Sequence, residues 1–167
     1  LQWLSGIATL TDRYVKKVAP VKVLDTRKTT PGLRVFEKYA VACGGAINHR
    51  FGLYDQVLIK DNHIEAAGGI SNAVSAIRKN VSDNKKIEIE VQSVEEVKEA
   101  LESHVDIIML DNMVIDTMHQ CITLIDGKAK TEISGGITFD RLEEISTTGA
   151  DFVSIGALTH SAPAVDI

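Results

Sequence analysis

The chain has 167 residues, 44% hydrophobic, 25% charged and 5% aromatic, with a formal net charge of −5. This composition suits one globular domain with a sizeable core and excludes a disordered chain. No basic stripe marks a nucleic-acid partner, no apolar run reaches the roughly 20 residues that span a membrane, and no signal peptide is visible, so a cytoplasmic protein without membrane or nucleic-acid partners is expected.

Leu1 to Val18 repeats apolar residues at helical spacing, and Pro20 ends that helix. Val21 to Leu24 reads as a strand, and Pro31 suits the first turn of a helix over 32–43 that Gly44 stops. Ala46 to Asn48 and Val57 to Ile59 are the next strands. Ser71 is a plausible cap for a helix through about Lys79. Ile87 to Val91 alternates apolar and acidic residues, and Ser93 with Glu96 forms a capping-box pattern. Ile107 to Leu110 is wholly apolar, the pattern of a buried parallel strand. A helix over 113–125, a turn at Asp126-Gly127, a strand over 131–134, a helix from Thr138 to about Thr148 and a strand over 152–155 complete the series.

Strand–helix alternation argues for a parallel α/β architecture. Polar or glycine signatures close nearly every strand, which favours a barrel, because barrels place chemistry at the carboxyl ends of their strands. These signatures are Thr26-Arg27-Lys28-Thr29, Asn48-His49-Arg50, Lys60-Asp61-Asn62-His63, Glu90, Asp111-Asn112, Ser134-Gly135-Gly136 and Ile155-Gly156-Ala157. The chain starts directly in a helix and stops in an apolar stretch, so one domain (residues 1–167) of a longer protein is expected. Cys43 and Cys121 lack metal-ligand spacing and read as inert thiols.

The signatures sort by chemistry. Arg27, Arg50 and Lys60, with His49 beside Arg50, would repel one another unless an anion neutralised them, which points to a ligand of at least two negative charges. Lys28 diverges from Arg27 on an extended segment and can serve another part of a ligand pair. Thr26, Thr29 and Thr30 add hydroxyls, with local turn chemistry the competing reading. Glu90 and Asp111 end consecutive strands and suit Mg²⁺, through its waters, or ribose hydroxyls. Glu88 shares the face of Glu90 one layer deeper, and Glu132 stands likewise beside Ser134. These glutamates could instead pair with Lys28 or Lys60. Ser134, Gly135 and Gly136, leading into a helix, and Ile155, Gly156 and Ala157, with His160 and Ser161 nearby, offer backbone N–H groups to a phosphate. Trp3 and Tyr14 read as packing residues and His104 and His119 as surface residues. His63 reads either as orienting a neighbour or as touching a ligand.

The ordered set Leu4–Thr9, Leu24–Arg34, Asn48–Arg50, Leu58–His63, Glu88–Val91, Met109–Met113, Ser134–Ile137 and Gly156–Ser161 resembles quinolinate phosphoribosyltransferase over essentially the whole chain. The resemblance implies an incomplete seven-stranded parallel α/β barrel of the TIM-barrel type. It implies conversion of quinolinate and 5-phosphoribosyl-1-diphosphate to nicotinate mononucleotide, CO2 and diphosphate with Mg²⁺, a step of NAD biosynthesis. By resemblance Arg27, His49, Arg50 and Lys60 would hold the quinolinate carboxylates, and Lys28 would meet the phosphoribosyl diphosphate. Glu90 and Asp111 would serve the ribose and the metal–diphosphate end, the metal being held through water or diphosphate. Ser134, Gly135, Gly136, Ile155, Gly156, Ala157 and His160 would cradle the 5-phosphate. Members of the family form dimers in which an N-terminal domain lends an arginine to the partner's site. That domain and the C-terminal return segment lie outside these residues, so the 167 residues alone are not expected to be fully active. Gln92 stands where the family commonly has an acidic residue. A related phosphoribosyltransferase with another substrate, and a non-catalytic phosphate-binding barrel, are the alternatives.

Overall fold

The computed structural model describes residues 1–82 and 85–167. The chain divides into two compact units. The first comprises Leu1–Phe51, Gly136–Thr147 and Phe152–Ile167, and the second Gly52–Gly135 and Thr148–Asp151.

In the first unit, helix α1 (Gln2–Val18) buries Ile7, Thr11, Tyr14 and Val18 on one face. Strand β1 (Lys22–Leu24) pairs in parallel with a strand over Phe152–Ser154, Val23 lying opposite Val153. Helix α2 (Arg34–Cys43) packs on α1. Gly6 is where α1 meets the C-terminal segment, and a Cβ there would lie 1.9 Å from the Pro163 carbonyl oxygen. Val165 N–H donates to the Gln2 carbonyl along the same contact.

The second unit holds four parallel strands in the order β2 (Val57–Ile59), β3 (Ile87–Val91), β4 (Ile107–Asp111) and β5 (Lys130–Ser134). Helices α3 (Asp61–Ala67), α4 (Ile70–Asn80), α5 (Val94–Glu102) and α6 (Ile115–Ile125) connect them. Ile87, Ile89, Ile108, Leu110 and Ile133 are fully buried. Each such side chain contributes about 1.5–3 kcal/mol of burial. Aspartates fix two strand starts. Asp106 accepts from the Ile87 N–H at 2.8 Å. Asp151 accepts from the Thr131 N–H at 2.9 Å, from the Thr131 hydroxyl at 3.1 Å and from the Lys130 ammonium at 2.6 Å.

Several boundaries differ from the sequence expectation. The helix expected from residue 32 begins at Arg34, because Gly32 adopts φ +81 and residues 31–33 form a turn. The strand expected at 46–48 is a single bridge, Ile47 to Leu24. There the His49 N–H turns to the Asp25 carboxylate, which ends the ladder. Among the described residues there are therefore six strands and one bridge position rather than seven strands. Helix α3 was not expected at all. Gly69, not Ser71, caps α4, and Ser71 sits in its first turn with its N–H on Glu99. Ser93 accepts from the Glu96 N–H as expected, but the Glu96 carboxylate reaches the Gln92 N–H, one residue before the usual box partner. Helix α6 starts at Ile115 rather than 113. The helix expected over 138–148 is a 3₁₀ turn (Phe139–Arg141) followed by α7 (Leu142–Ser146). The last strand, β6 (Phe152–Ser154), is followed by α8 (Ala157–His160). Cys43 is exposed and Cys121 is buried, both as free thiols.

Asp151 gives a pH test. Burial pushes its carboxyl up, yet the Lys130 ammonium and the Thr131 donors outweigh burial and hold it below the usual value. A lowered folded value means that this stability is present above the unfolded carboxylate range and is lost as pH falls through the folded value. The stability gap between the parent and Asp151→Asn, followed by urea denaturation, should be widest at neutral pH and shrink in acid. A gap that stays constant with pH would contradict this role.

Candidate active site

In the first unit a buried carboxylate organises the strand ends. Asp25, directly after β1, accepts from the Lys38 ammonium at 2.5 Å, the Asn48 side-chain amide at 2.8 Å and the His49 N–H at 2.8 Å. Lys38 also donates to the His49 carbonyl at 3.0 Å, and Asn48 to the Lys38 carbonyl at 2.9 Å. Both backbone polar groups of His49 are thus held by one ion pair. Asp25 and Lys38 are almost wholly buried. Burial pushes the Asp25 carboxyl above its usual value, against the opposing pull of Lys38 and the N–H donors. The Arg50 N–H donates to His49 Nδ1 at 2.8 Å. That bond uses the Nδ1 lone pair, so the neutral ring carries its hydrogen on Nε2.

Arg34 folds back from the start of α2. It donates to the Thr29 hydroxyl at 3.0 Å and to the carbonyls of Arg27 and Phe51 at 3.1 Å each. Its guanidinium is therefore engaged in shaping the loop. Arg27 is different: its Nε is buried and has no hydrogen-bond partner among the described residues. A buried donor in that state costs about 1–3 kcal/mol, so it suits an incoming anionic oxygen.

Lys28, Gly156 and His160 come together. A Cβ on Gly156 would lie 3.1 Å from His160 Nε2 and 3.2 Å from Lys28 Cδ. The Thr159 hydroxyl donates to the Lys28 carbonyl at 2.6 Å, and His160 Nδ1 lies 2.6 Å from the Ser161 hydroxyl. Ile155 is buried, with its N–H on the Leu24 carbonyl, and Ala157 opens α8. The Thr26 hydroxyl accepts from the Lys28 N–H at 3.1 Å, which is the turn chemistry weighed against a ligand role. Gly136 starts a loop whose helices are short, so any phosphate there would rest on loop N–H groups more than on a helix dipole.

In the second unit, strand register sets the second group of residues on one face. Glu90 lies opposite Met109, Met109 opposite Glu132, and Asp111 opposite Ser134. Glu88 lies one layer deeper and accepts from Gln56 at 2.8 Å. Lys60 and Glu90 pair at 2.5 Å. The Lys60 N–H donates to His63 Nδ1 at 3.0 Å, which closes the first turn of α3. Asp111 accepts from the Asn112 side chain at 2.6 Å, and the Asn112 N–H donates to the Ser134 carbonyl at 2.9 Å. Gly135 lies against Asn112. Trp3 and Tyr14 are packing residues as expected. The Trp3 indole donates to buried Glu37, and Tyr14 meets Phe139 edge to face.

The model of the quinolinate phosphoribosyl transferase C-terminal domain matches residues 7–167. The chain belongs to that family. It is 50% identical over 169 residues to a Synechocystis protein named probable nicotinate-nucleotide pyrophosphorylase (carboxylating), covering 98% of this chain and 57% of that protein. It is 47% identical to a Bacillus subtilis protein of the same name, covering 100% of this chain and 58% of that one. Among solved structures, NadC from Streptococcus pyogenes aligns with a TM-score of 0.96 at 48% identity, over 99% of this chain and 59% of that chain. The likeness shows the α/β fold expected of this family. The chain spans a little over half the length of these relatives.

Asp25, Lys38, Arg34 and Thr159 were not read as site residues. For Lys38 the signal was present: on α2 it falls in helical phase with the buried Val41, a place where a charge requires a partner.

The Asp25–Lys38 pair yields a double-mutant test. Lys38→Met leaves a buried carboxylate uncompensated and should cost about 3–5 kcal/mol. Adding Asp25→Asn should restore part of that loss. Urea denaturation of the two single variants and the double variant measures the coupling, and strictly additive losses would contradict it.

Proposed function

We propose that the protein carrying this chain transfers the phosphoribosyl group of 5-phosphoribosyl-1-diphosphate to quinolinate with decarboxylation, yielding nicotinate mononucleotide, CO2 and diphosphate for NAD biosynthesis. Within the family frame, one observation carries the reading: the buried Nε of Arg27, which has no partner among the described residues and is next in sequence to Lys28 of the Lys28–Gly156–His160 cluster. It supports a carboxylate on one side of this loop and a phosphate on the other.

In this reading Arg27, His49 through Nε2, Arg50 and Lys60 hold the two carboxylates and aim the pyridine nitrogen. That nitrogen attacks the ribose carbon as its bond to the diphosphate oxygen breaks. Positive charge developing on the ribose is stabilised by Glu90 and Asp111, and negative charge developing on the leaving diphosphate by Lys28. The resulting pyridinium is an electron sink: the C–CO2 bond breaks, its electron pair stays on the ring carbon beside the nitrogen, and that carbon takes a proton. Ser134, Gly135, Gly136, Ile155, Gly156, Ala157 and His160 hold the 5-phosphate.

Mg²⁺ would neutralise diphosphate charge when bound. Glu90 and Asp111 fit such an ion indirectly. Each has one oxygen engaged by a neighbour, and neither belongs, among the described residues, to a cluster of three potential ligands. Contact through water or diphosphate suits that donor set. Homodimerisation and a cytoplasmic setting belong to the same reading.

The test is CO2 release from labelled quinolinate by the full-length protein. Release should require both 5-phosphoribosyl-1-diphosphate and Mg²⁺, and nicotinate should not replace quinolinate. No release, or release without the phosphoribosyl donor, would overturn the reading.

A further inference from the structure

We propose that Asn112 is a positioning residue that gives Asp111 a single outward acceptor oxygen, matched to one hydroxyl or one metal-bound water on a phosphorylated ribose. The proposal rests on the reading above that this site takes 5-phosphoribosyl-1-diphosphate.

Asn112 sits immediately after β4 with φ 54, in the left-handed region that non-glycine residues seldom occupy. Asparagine is among the residues that tolerate it best, because its short side chain can bond locally. Here that bond goes to the carboxylate beside it. The amide Nδ2 donates to Asp111 Oδ2 at 2.6 Å, while the Asn112 N–H donates to the Ser134 carbonyl at 2.9 Å. Asn112 is thereby tied both to the end of its own strand and to the end of β5.

Gly135 closes the arrangement. It adopts φ +89, and a Cβ there would lie 2.3 Å from Asn112 Oδ1 and 2.7 Å from the Asn112 nitrogen. Any side chain at 135 would collide with the amide that holds Asp111. The glycine therefore does more than allow a turn: it makes room for the amide. The carboxylate and the Ser134-Gly135 loop are set by one residue, so the ribose end and the phosphate end of a ligand meet a common frame.

The chemical consequence concerns Asp111. With Oδ2 occupied by an N–H donor, the carboxylate has Oδ1 left to meet a ligand. One oxygen suits a single hydroxyl or a water of a hydrated cation, and not bidentate chelation of a bare metal.

Asn112→Gly separates the side chain from the backbone, since glycine adopts the left-handed conformation readily. Calorimetry on the full-length protein, which needs no turnover, would measure binding of Mg²⁺–5-phosphoribosyl-1-diphosphate and of quinolinate, with thermal melting alongside. Asn112→Gly should melt cooperatively near the parent temperature. It should bind the phosphoribosyl donor about tenfold more weakly, the scale of one lost charge-assisted hydrogen bond, with quinolinate binding unchanged. Unchanged donor binding, an equal loss for quinolinate, or loss of the cooperative melt would each overturn the proposal. A parent that binds both ligands yet releases no CO2 would refute the proposed reaction while leaving this binding comparison decisive.

Discussion

The first unit depends on one interaction, the buried pairing of Asp25 with Lys38. A carboxylate at the end of β1 and an ammonium on α2 are both withdrawn from water, and neither could stay charged there alone. Their further hydrogen bonds go to the Asn48–His49 segment. Asp25 takes the Asn48 amide and the His49 N–H, and Lys38 takes the His49 carbonyl. The cost of burying charge is thereby converted into a fixed presentation of His49 and Arg50. It also explains why Asn48 and His49 do not extend the ladder beside β1: their polar groups have a charged partner instead.

The basic residues differ in how far the fold engages them. Arg34 makes three hydrogen bonds and Lys38 two to the loops around them. Arg27 keeps a buried nitrogen without a partner among the described residues. Lys28 and His160 share the space that Gly156 leaves open. In the second unit Lys60 is paired with Glu90, so a ligand carboxylate there would have to compete with that bond. The carboxylates show the same economy, with one oxygen of Glu90 and one of Asp111 held by a neighbour.

Much of this was legible in the sequence. The wholly apolar Ile107–Leu110 run and the alternating Ile87–Val91 run became β4 and β3 within a residue. The register then placed Glu88 below Glu90, and Glu132 below Ser134, on one face, as alternation requires. What escaped depended on contacts distant in sequence. Nothing local in Asp25 tells that Lys38 and His49, 13 and 24 residues away, will share it. The loss of the strand at Ala46–Asn48 follows from that same pairing. Helix α3 was missed because its opening residues, Asp61-Asn62-His63, resemble a loop, whereas in the fold His63 reaches back to the Lys60 N–H and closes the first turn. The late start of α2 came from Gly32, whose positive φ overrode the signal of Pro31.

In the proposed reaction the ion pair and Arg34 stay engaged while Arg27, His49 and Arg50 meet quinolinate. A crystal structure of the full-length protein with quinolinate tests it most directly. The account predicts ligand carboxylates on Arg27 Nε, His49 Nε2 and the Arg50 guanidinium, with the Asp25–Lys38 pair and all three Arg34 hydrogen bonds intact. A ligand carboxylate on Arg34 or Lys38, or an opened Asp25–Lys38 pair, would contradict it.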